Sequence, residues 1–317
     1  MTKLLTNSEM AVWRRCRRRW WLGQYRGLRR RSEVEFNRPT GIGNRVHDAL
    51  ADYYDPELRR DPVTTVNMTE ARDLETAPQH EDDIRKECGL ARLMVEGYVE
   101  WLAETGADQA LTLVEAERAR KAPLGADRDV TLLSKLDAKV HHDEFGQFLN
   151  LEHKTVGSLK QHLPELRINS QVLTEHLVEF LALLEEGYSR DEAQGRAGGV
   201  LFNLLLKSKR TARAKGPFYD RIHVKHSMSE LRHHWMHVVA IADEIRATET
   251  ALDAGGDPHF LCPPSPNSDC SWSCPFFRLC PNVDDDADHE GQIADQFEVR
   301  DPLERYAGIL DEGDRAA

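Results

Sequence analysis

The sequence has no long hydrophobic run. Its longest mostly apolar stretch, residues 200–206, falls far short of the ~20 residues that a membrane-spanning helix needs, so no membrane partner is expected. It has no Gly-x-x-x-x-Gly-Lys-Ser/Thr phosphate loop, so the chain is not itself a helicase. Residues 1–7 show no apolar segment followed by a small-residue cleavage site, and a cytoplasmic location is therefore expected. An excess of basic residues is also missing. Lys and Arg number 42 against 54 Asp and Glu, and a net charge of −12 argues by itself against a nucleic-acid partner. No internal repeat is visible.

The distribution of charge reverses that impression. Residues 11–31 hold nine arginines and no acid, whereas residues 281–317 hold twelve acids and three arginines, a net of −9. Without that tail the other 280 residues carry only −3, so the tail masks a basic N-terminal patch. The run that includes Arg14, Arg15 and Arg18 reads either as a solvated helix face or as a docking surface. Trp20 and Trp21 inside it favour docking. The remaining composition, 40% hydrophobic and 30% charged, is that of a globular protein able to bury a core.

Hydrophobic spacing predicts helices over residues 7–30, from 41 into the fifties, and over 81–104, with residues 56–81 polar and irregular. Residues 111–117, 130–140 and 147–155 read as strands, the last two joined by a hairpin turn at 142–146. A helix over 170–186, a central strand over 198–207, a further strand over 222–226 and a long helix over 228–252 follow. This order predicts an α/β fold: a central mixed sheet flanked by helices, with a helical insertion over 48–110. One domain over 1–282 is expected, with a cysteine-rich segment over 262–282 and an acidic, flexible tail over 283–317.

The strongest chemical signal is Asp137 followed by Glu152-His153-Lys154. Glu152 and Lys154 are two apart on a strand and share a face, and Asp137 lies within cross-strand reach on the preceding strand. Carboxylates there can hold Mg²⁺ or Mn²⁺, and a lysine can steady charge that develops on a phosphate. The triplet alone is a common surface-strand pattern. His47, after Gly41-x-Gly43, can complete a metal shell, although a lone histidine is more often structural. Gln171, opening the next helix, can contact DNA or a metal-bound water, although an exposed helix glutamine is as ordinary.

Four of the six cysteines, Cys262, Cys270, Cys274 and Cys280, lie within nineteen positions, which in a cytosolic protein reads as a metal site. Cys270, Cys274 and Cys280 need a fourth thiolate. Cys262 would supply it locally for zinc, and Cys16 from the N-terminus for an iron–sulfur centre.

The ordered set His47, Asp137, Glu152-x-Lys154 and Gln171 resembles the PD-(D/E)xK nuclease superfamily in its RecB-like branch. The flanking cysteines resemble the AddB-type and CRISPR-associated exonucleases, and the phrasing around Trp13-x-x-Cys16 and Asp269-Cys-Ser-Trp-Ser-Cys274 resembles bacteriophage-encoded members. The likeness covers residues 4–282. It implies a restriction-endonuclease-like core, with His47, Asp137 and Glu152 as ligands of Mg²⁺ or Mn²⁺ and Lys154 as the catalytic lysine. It implies that Cys16, Cys270, Cys274 and Cys280 hold a structural [4Fe–4S] cluster that staples the two ends together. Cys88 and Cys262 are then ordinary thiols. The family often has a tyrosine four residues after the glutamine; here that position is Glu175, which weakens the case for Gln171. Lys207 is an extra phosphate contact. The implied partner is DNA, chiefly single-stranded ends, with room for a helicase or recombination partner and for oligomeric assembly, in the host cytoplasm if phage-encoded. Two other readings are a non-catalytic DNA-binding or assembly subunit on the same fold, and a zinc-stabilised binding protein.

Overall fold

The computed structural model describes residues 2–31, 41–125, 127–210, 213–285 and 287–306. In chain order the first elements are β1 (Lys3–Thr6), α1 (Asn7–Arg15), α2 (Arg17–Trp20), a π-turn (Trp21–Tyr25) and β2 (Leu28–Arg30). Helices α3 (Gly41–Tyr54), α4 (Pro62–Thr76) and α5 (Glu81–Thr105) follow, then strands β3 (Leu111–Pro123), β4 (Val130–His142) and β5 (Gln147–Val156). Next come α6 (Leu159–Ile168), α7 (Ser170–Glu185), α8 (Arg190–Arg196), β6 (Ala197–Leu206) and β7 (Tyr219–Val224). The chain continues through α9 (Met228–Asp253), α10 (Pro258–Leu261), α11 (Cys270–Ser273), α12 (Cys280–Asp284), α13 (His289–Gln296) and β8 (Phe297–Val299). Where one domain was expected, contacts divide the chain into two compact units. One holds residues 38–123 and 133–234, the other residues 1–37, 124–132 and 235–317.

The first of these units carries a mixed sheet in which β5 lies between β4, antiparallel to it, and β6, parallel to it; β7 is antiparallel to β6, and β3 pairs with β4. Helices flank this sheet, as the expected α/β class requires. Parallel pairing of β5 and β6 needs a crossover, and α6, α7 and α8 supply it. Val156, Leu166, Val172, Val200, Phe202 and Leu204 form one core cluster of that crossover. Each such fully buried apolar side chain contributes about 1.5–3 kcal/mol. At the bulge where β6 starts, Gly199 takes φ of 93°, and a Cβ there would run into the Val224 carbonyl of β7.

The stretch 56–81, expected to be irregular, contains α4. Asp61 caps it by accepting the Thr64 N–H, and Pro62 starts it with a pre-set φ. Its apolar stripe is thin, with Pro62, Thr65, Val66 and Thr69 the buried residues, which is why periodicity missed it. Buried Arg45 of α3 ties this region together through Asp73 at 2.8 Å, Glu87 at 2.9 Å and the Cys88 sulfur at 3.0 Å.

In the other unit, β1 pairs with β4, whose first three residues belong to it. The single helix expected over 7–30 is broken. Cys16 adopts an extended conformation between α1 and α2, and the chain turns into β2 by residue 28. Trp20 is buried, its indole N–H donating to Glu9 at 3.0 Å. Within the acidic tail that was expected to be flexible, the described residues include helix α13 and strand β8. Antiparallel pairing of β8 with β2 and stacking of buried Phe297 on Phe276, centroids 5.4 Å apart, hold it in place. Residues 307–317 of that tail lie outside the described residues. Among the described residues no helix is long and apolar enough to cross a membrane.

Candidate functional site

The β4–β5 ladder pairs Ala138 with Leu151, so one step further Asp137 stands opposite Glu152 on the same sheet face. Lys154 follows two residues on, its Nζ 5.1 Å from the centroid of Phe202 on neighbouring β6. Asp137 Oδ2 accepts the His153 backbone N–H at 2.9 Å and lies 3.1 Å from His47 Nδ1, which α3 delivers. Burial would raise the Asp137 pKa, but His47 and these bonds hold it at about 2. Burial would likewise lower the His47 pKa, yet Asp137 outweighs that and raises it. The two therefore form a charged pair. The structure thus brings His47, Asp137, Glu152 and Lys154 together.

Helix α7 covers this face. Asn169 caps it by accepting the Gln171 N–H at 2.8 Å, and the Asn150 side chain of β5 donates to the Glu175 carbonyl at 3.2 Å. Two glutamates one turn apart on α7 are each only 1% exposed. Glu179 meets Lys139 at 2.9 Å and Arg120 at 3.0 Å. Neither carboxylate oxygen of Glu175 has a hydrogen-bond partner of acceptable geometry. Burial pushes its pKa up to about 8, against opposing pulls from Gln171 and Lys154. Burial, and then Glu175 itself, also push the Glu152 pKa far above the usual carboxylate range. Gln171 is half-buried one turn from Glu175, so the structure joins it to the site through that residue.

His153, inside the Glu-x-Lys motif, points to the opposite face. It stacks on Tyr54 with centroids 5.3 Å apart, and burial lowers its pKa to about 3. A polar network continues from it through Asn203, 3.2 Å away, to Arg221, which pairs with Asp108 at 2.7 Å. This histidine is neutral and belongs to the core. Lys207 is exposed just after β6, its backbone N–H donating to the Val156 carbonyl at the end of β5.

Carboxylates with an imidazole nitrogen are the kind of donor set that Mg²⁺ or Mn²⁺ takes. In the conformation described, no three His, Cys, Asp or Glu side chains among the described residues are drawn close enough to hold one metal ion.

The second cluster is the cysteines. Cys16, Cys270, Cys274 and Cys280 all line one cavity of about 340 Å³, whereas Cys262 and Cys88 are buried and do not line it. The Cys16 sulfur accepts backbone N–H bonds from Arg19 and Ser265 at 3.4 Å each, and Cys270 accepts one from Asn267 at 3.4 Å. Such N–H donors stabilise thiolates bound to a metal centre, but among the described residues these cysteines are not drawn close enough for three of them to hold one metal ion. Burial pushes the free Cys280 thiol up to about 11, so loading a centre here must release protons.

Of the arginines, Arg14 and Arg15 are exposed, Arg15 pairing with Asp269. Arg18 is 1% exposed and donates to the Cys262 carbonyl at 3.0 Å and to Asp284 at 2.9 Å. Its guanidinium fastens the cysteine segment to α2 and is not on the surface. Glu175 and Glu179 were not among the residues singled out in the sequence as functional. The available signal was an i, i+4 pair of acids inside an otherwise apolar helix, with Gln171 one turn earlier on the same face.

A family model described as the PD-(D/E)XK nuclease superfamily matches residues 5–281. No curated protein matches. A solved structure titled "Crystal structure of SSO0001" is 13% identical, aligned over 77% of this chain and 95% of its own, with a TM-score of 0.27. A likeness at that level carries nothing further.

Proposed function

The chain belongs to the PD-(D/E)XK nuclease superfamily, and on that footing we propose that it is a metal-dependent DNA exonuclease of the RecB-like branch, acting on single-stranded ends in recombination, repair or DNA-end processing. One observation carries the reading: Asp137, Glu152 and Lys154 share a sheet face, with His47 held against Asp137. A divalent cation bound there polarises a phosphate and lowers the pKa of its water. Asp137 and Glu152 would hold that cation. Because Asp137 engages Nδ1 of His47, Nε2 is the nitrogen that would serve as a ligand, after giving up the proton it carries in the charged pair. The Lys154 ammonium orients the attacking water and offsets charge developing on the phosphate. Gln171 would orient a water or the DNA. Exposed Arg14 and Arg15, with Lys207, contact the phosphate backbone. Buried Arg18 takes no part in that contact.

A [4Fe–4S] cluster on Cys16, Cys270, Cys274 and Cys280, which all belong to one unit, is part of the same proposal, with a structural role: it would close a chain loop of more than 250 residues. The support is the shared cavity and the N–H bonds to sulfur.

The experiment is degradation of end-labelled single-stranded DNA with Mn²⁺ or Mg²⁺, with EDTA and the Lys154→Ala protein as controls. Shortening from one labelled end, absent in both controls, supports the reading. No cleavage by cluster-replete protein with either ion refutes it and favours a non-catalytic DNA-binding subunit.

A further inference from the structure

The family match ends at residue 281, but the chain continues beyond it. Residues 284–304 hold nine acids and one arginine, a net charge of −8. Part of this segment folds onto the arginine run at the start of the chain, inside one compact unit. Glu290 of α13 meets Arg26 through both carboxylate oxygens, at 2.8 Å each. Arg31 donates to the Ala294 carbonyl at 3.4 Å. The β2–β8 ladder sets Glu298 opposite Arg29 and Phe297 opposite Arg30, whose guanidinium lies 6.0 Å from the Phe297 ring. Gly27 permits this close approach, since a Cβ there would run into the Arg300 carbonyl.

The segment is held down only lightly. Two paired strands of three residues each are marginal by themselves. The Arg26–Glu290 pair is open to solvent, and exposed ion pairs add little. The firm anchors are two buried side chains, Ile293 and Phe297, the latter stacked on Phe276. Arginines that receive carboxylates in this way also receive phosphates, because the guanidinium fork fits both. Half-exposed Tyr25, beside Arg26, offers a ring on which an unpaired base can stack.

We infer that the surface formed by Arg26, Arg29, Arg30 and Arg31 is a docking site for single-stranded nucleic acid, and that the acidic segment is its intramolecular competitor. The segment lies where the phosphates would lie, so a strand gripped there must first displace β8 from β2. The inference rests on the nuclease reading for the identity of the polyanion. It goes beyond that reading in giving the chain a device that weakens its own hold on nucleic acid.

The test is binding of a labelled oligothymidylate to the full-length protein in EDTA, which keeps the strand intact. Glu290→Gln with Glu298→Gln should bind roughly fivefold to tenfold more tightly than wild type at low salt. The gain should fade as salt rises. Both changes lie at solvent-accessible positions and keep the side-chain shape, so the melting temperature should stay near that of wild type. Adding Arg26→Gln and Arg31→Gln should remove the gain, which a mere change in net charge would not do. Hydrogen exchange should show residues 297–299 of wild type exchanging faster once the oligonucleotide is bound, as displacement of β8 requires. Unchanged affinity, a gain that survives loss of Arg26 and Arg31, or β8 amides that stay protected overturns this inference and leaves the nuclease reading standing. Failure of every form to bind the strand overturns both.

Discussion

Nδ1 of His47 stands 3.1 Å from Oδ2 of Asp137, the same oxygen that accepts the His153 backbone N–H at 2.9 Å. One carboxylate thus ties helix α3 to the hairpin of β4 and β5 at the point where the proposed chemistry takes place. The pair fixes the orientation of both groups before any ligand arrives.

This pair makes metal-free stability pH-dependent. His47 has a folded pKa above its unfolded value, so its contribution is complete below pH ~6.5 and fades as pH rises through the folded value. Asp137, lowered to about 2, contributes fully above pH ~3.9 and loses that contribution as pH falls toward 2. Both are charged across roughly pH 4 to 6.5. His47→Ala should therefore cost most near pH 5.5, about 1 kcal/mol after solvent screening of a partly exposed histidine, and much less at pH 9. Urea melts in EDTA at both pH values measure it; equal losses would assign the effect to packing.

Lys154→Ala should lower cleavage by roughly 10²–10³-fold or more while DNA binding and melting temperature stay close to wild type. Its ammonium lies over the Phe202 ring, so little packing depends on it. Single-turnover rates on labelled DNA, read beside a binding isotherm, separate the two effects. Full activity in this variant would remove the lysine from the mechanism.

Glu179→Gln should destabilise the protein by about 3 kcal/mol, because Lys139 is left with a buried unpaired charge while Arg120 keeps Glu186 at 2.6 Å. Glu175→Gln, one turn away and equally buried, should cost nothing or stabilise the metal-free protein. Denaturant midpoints of the two variants in EDTA give the comparison. Equal costs would mean that Glu175 has an intramolecular partner after all.

Cys16→Ser should abolish iron and acid-labile sulfide in anaerobically prepared protein and lower its melting temperature, because Cys16 lines the cavity shared with Cys270, Cys274 and Cys280. Cys262→Ser should leave both assays near wild type, since that side chain does not line the cavity and its partner, Arg18, binds the backbone carbonyl. Zinc without iron, lost in Cys262→Ser, would hand the site to a local zinc.

Arg221→Met should destabilise without touching the proposed chemistry. Arg221 pairs with Asp108 at 2.7 Å and donates to Asn203 at 2.7 Å on the sheet face opposite Glu152. Loss of about 3 kcal/mol in a urea melt, with the cleavage rate below the melting transition unchanged, is the expected outcome.

The sequence by itself determined the strands and the shared face of the site. Period-two alternation is a local property, so Glu152 and Lys154 had to emerge on one side of β5, with Asp137 opposite on β4. The same logic located α7 and the long helix α9 to within a residue or two. Only the tertiary structure decided what became of each charge. Arg18 and Arg15 look alike in an arginine run, yet one is buried against Cys262 and Asp284 and the other is exposed. Glu175 and Glu179 look alike on one helix, yet Lys139 and Arg120 arrive from β4 and β3 to neutralise only the second. The break at Cys16 and the pairing of β8 with β2 depend likewise on segments more than 240 residues away. Local spacing fixes which way a side chain points, but its solvation and its counter-charge are set by chain segments distant in sequence, and those decide whether it is structural or left for a ligand.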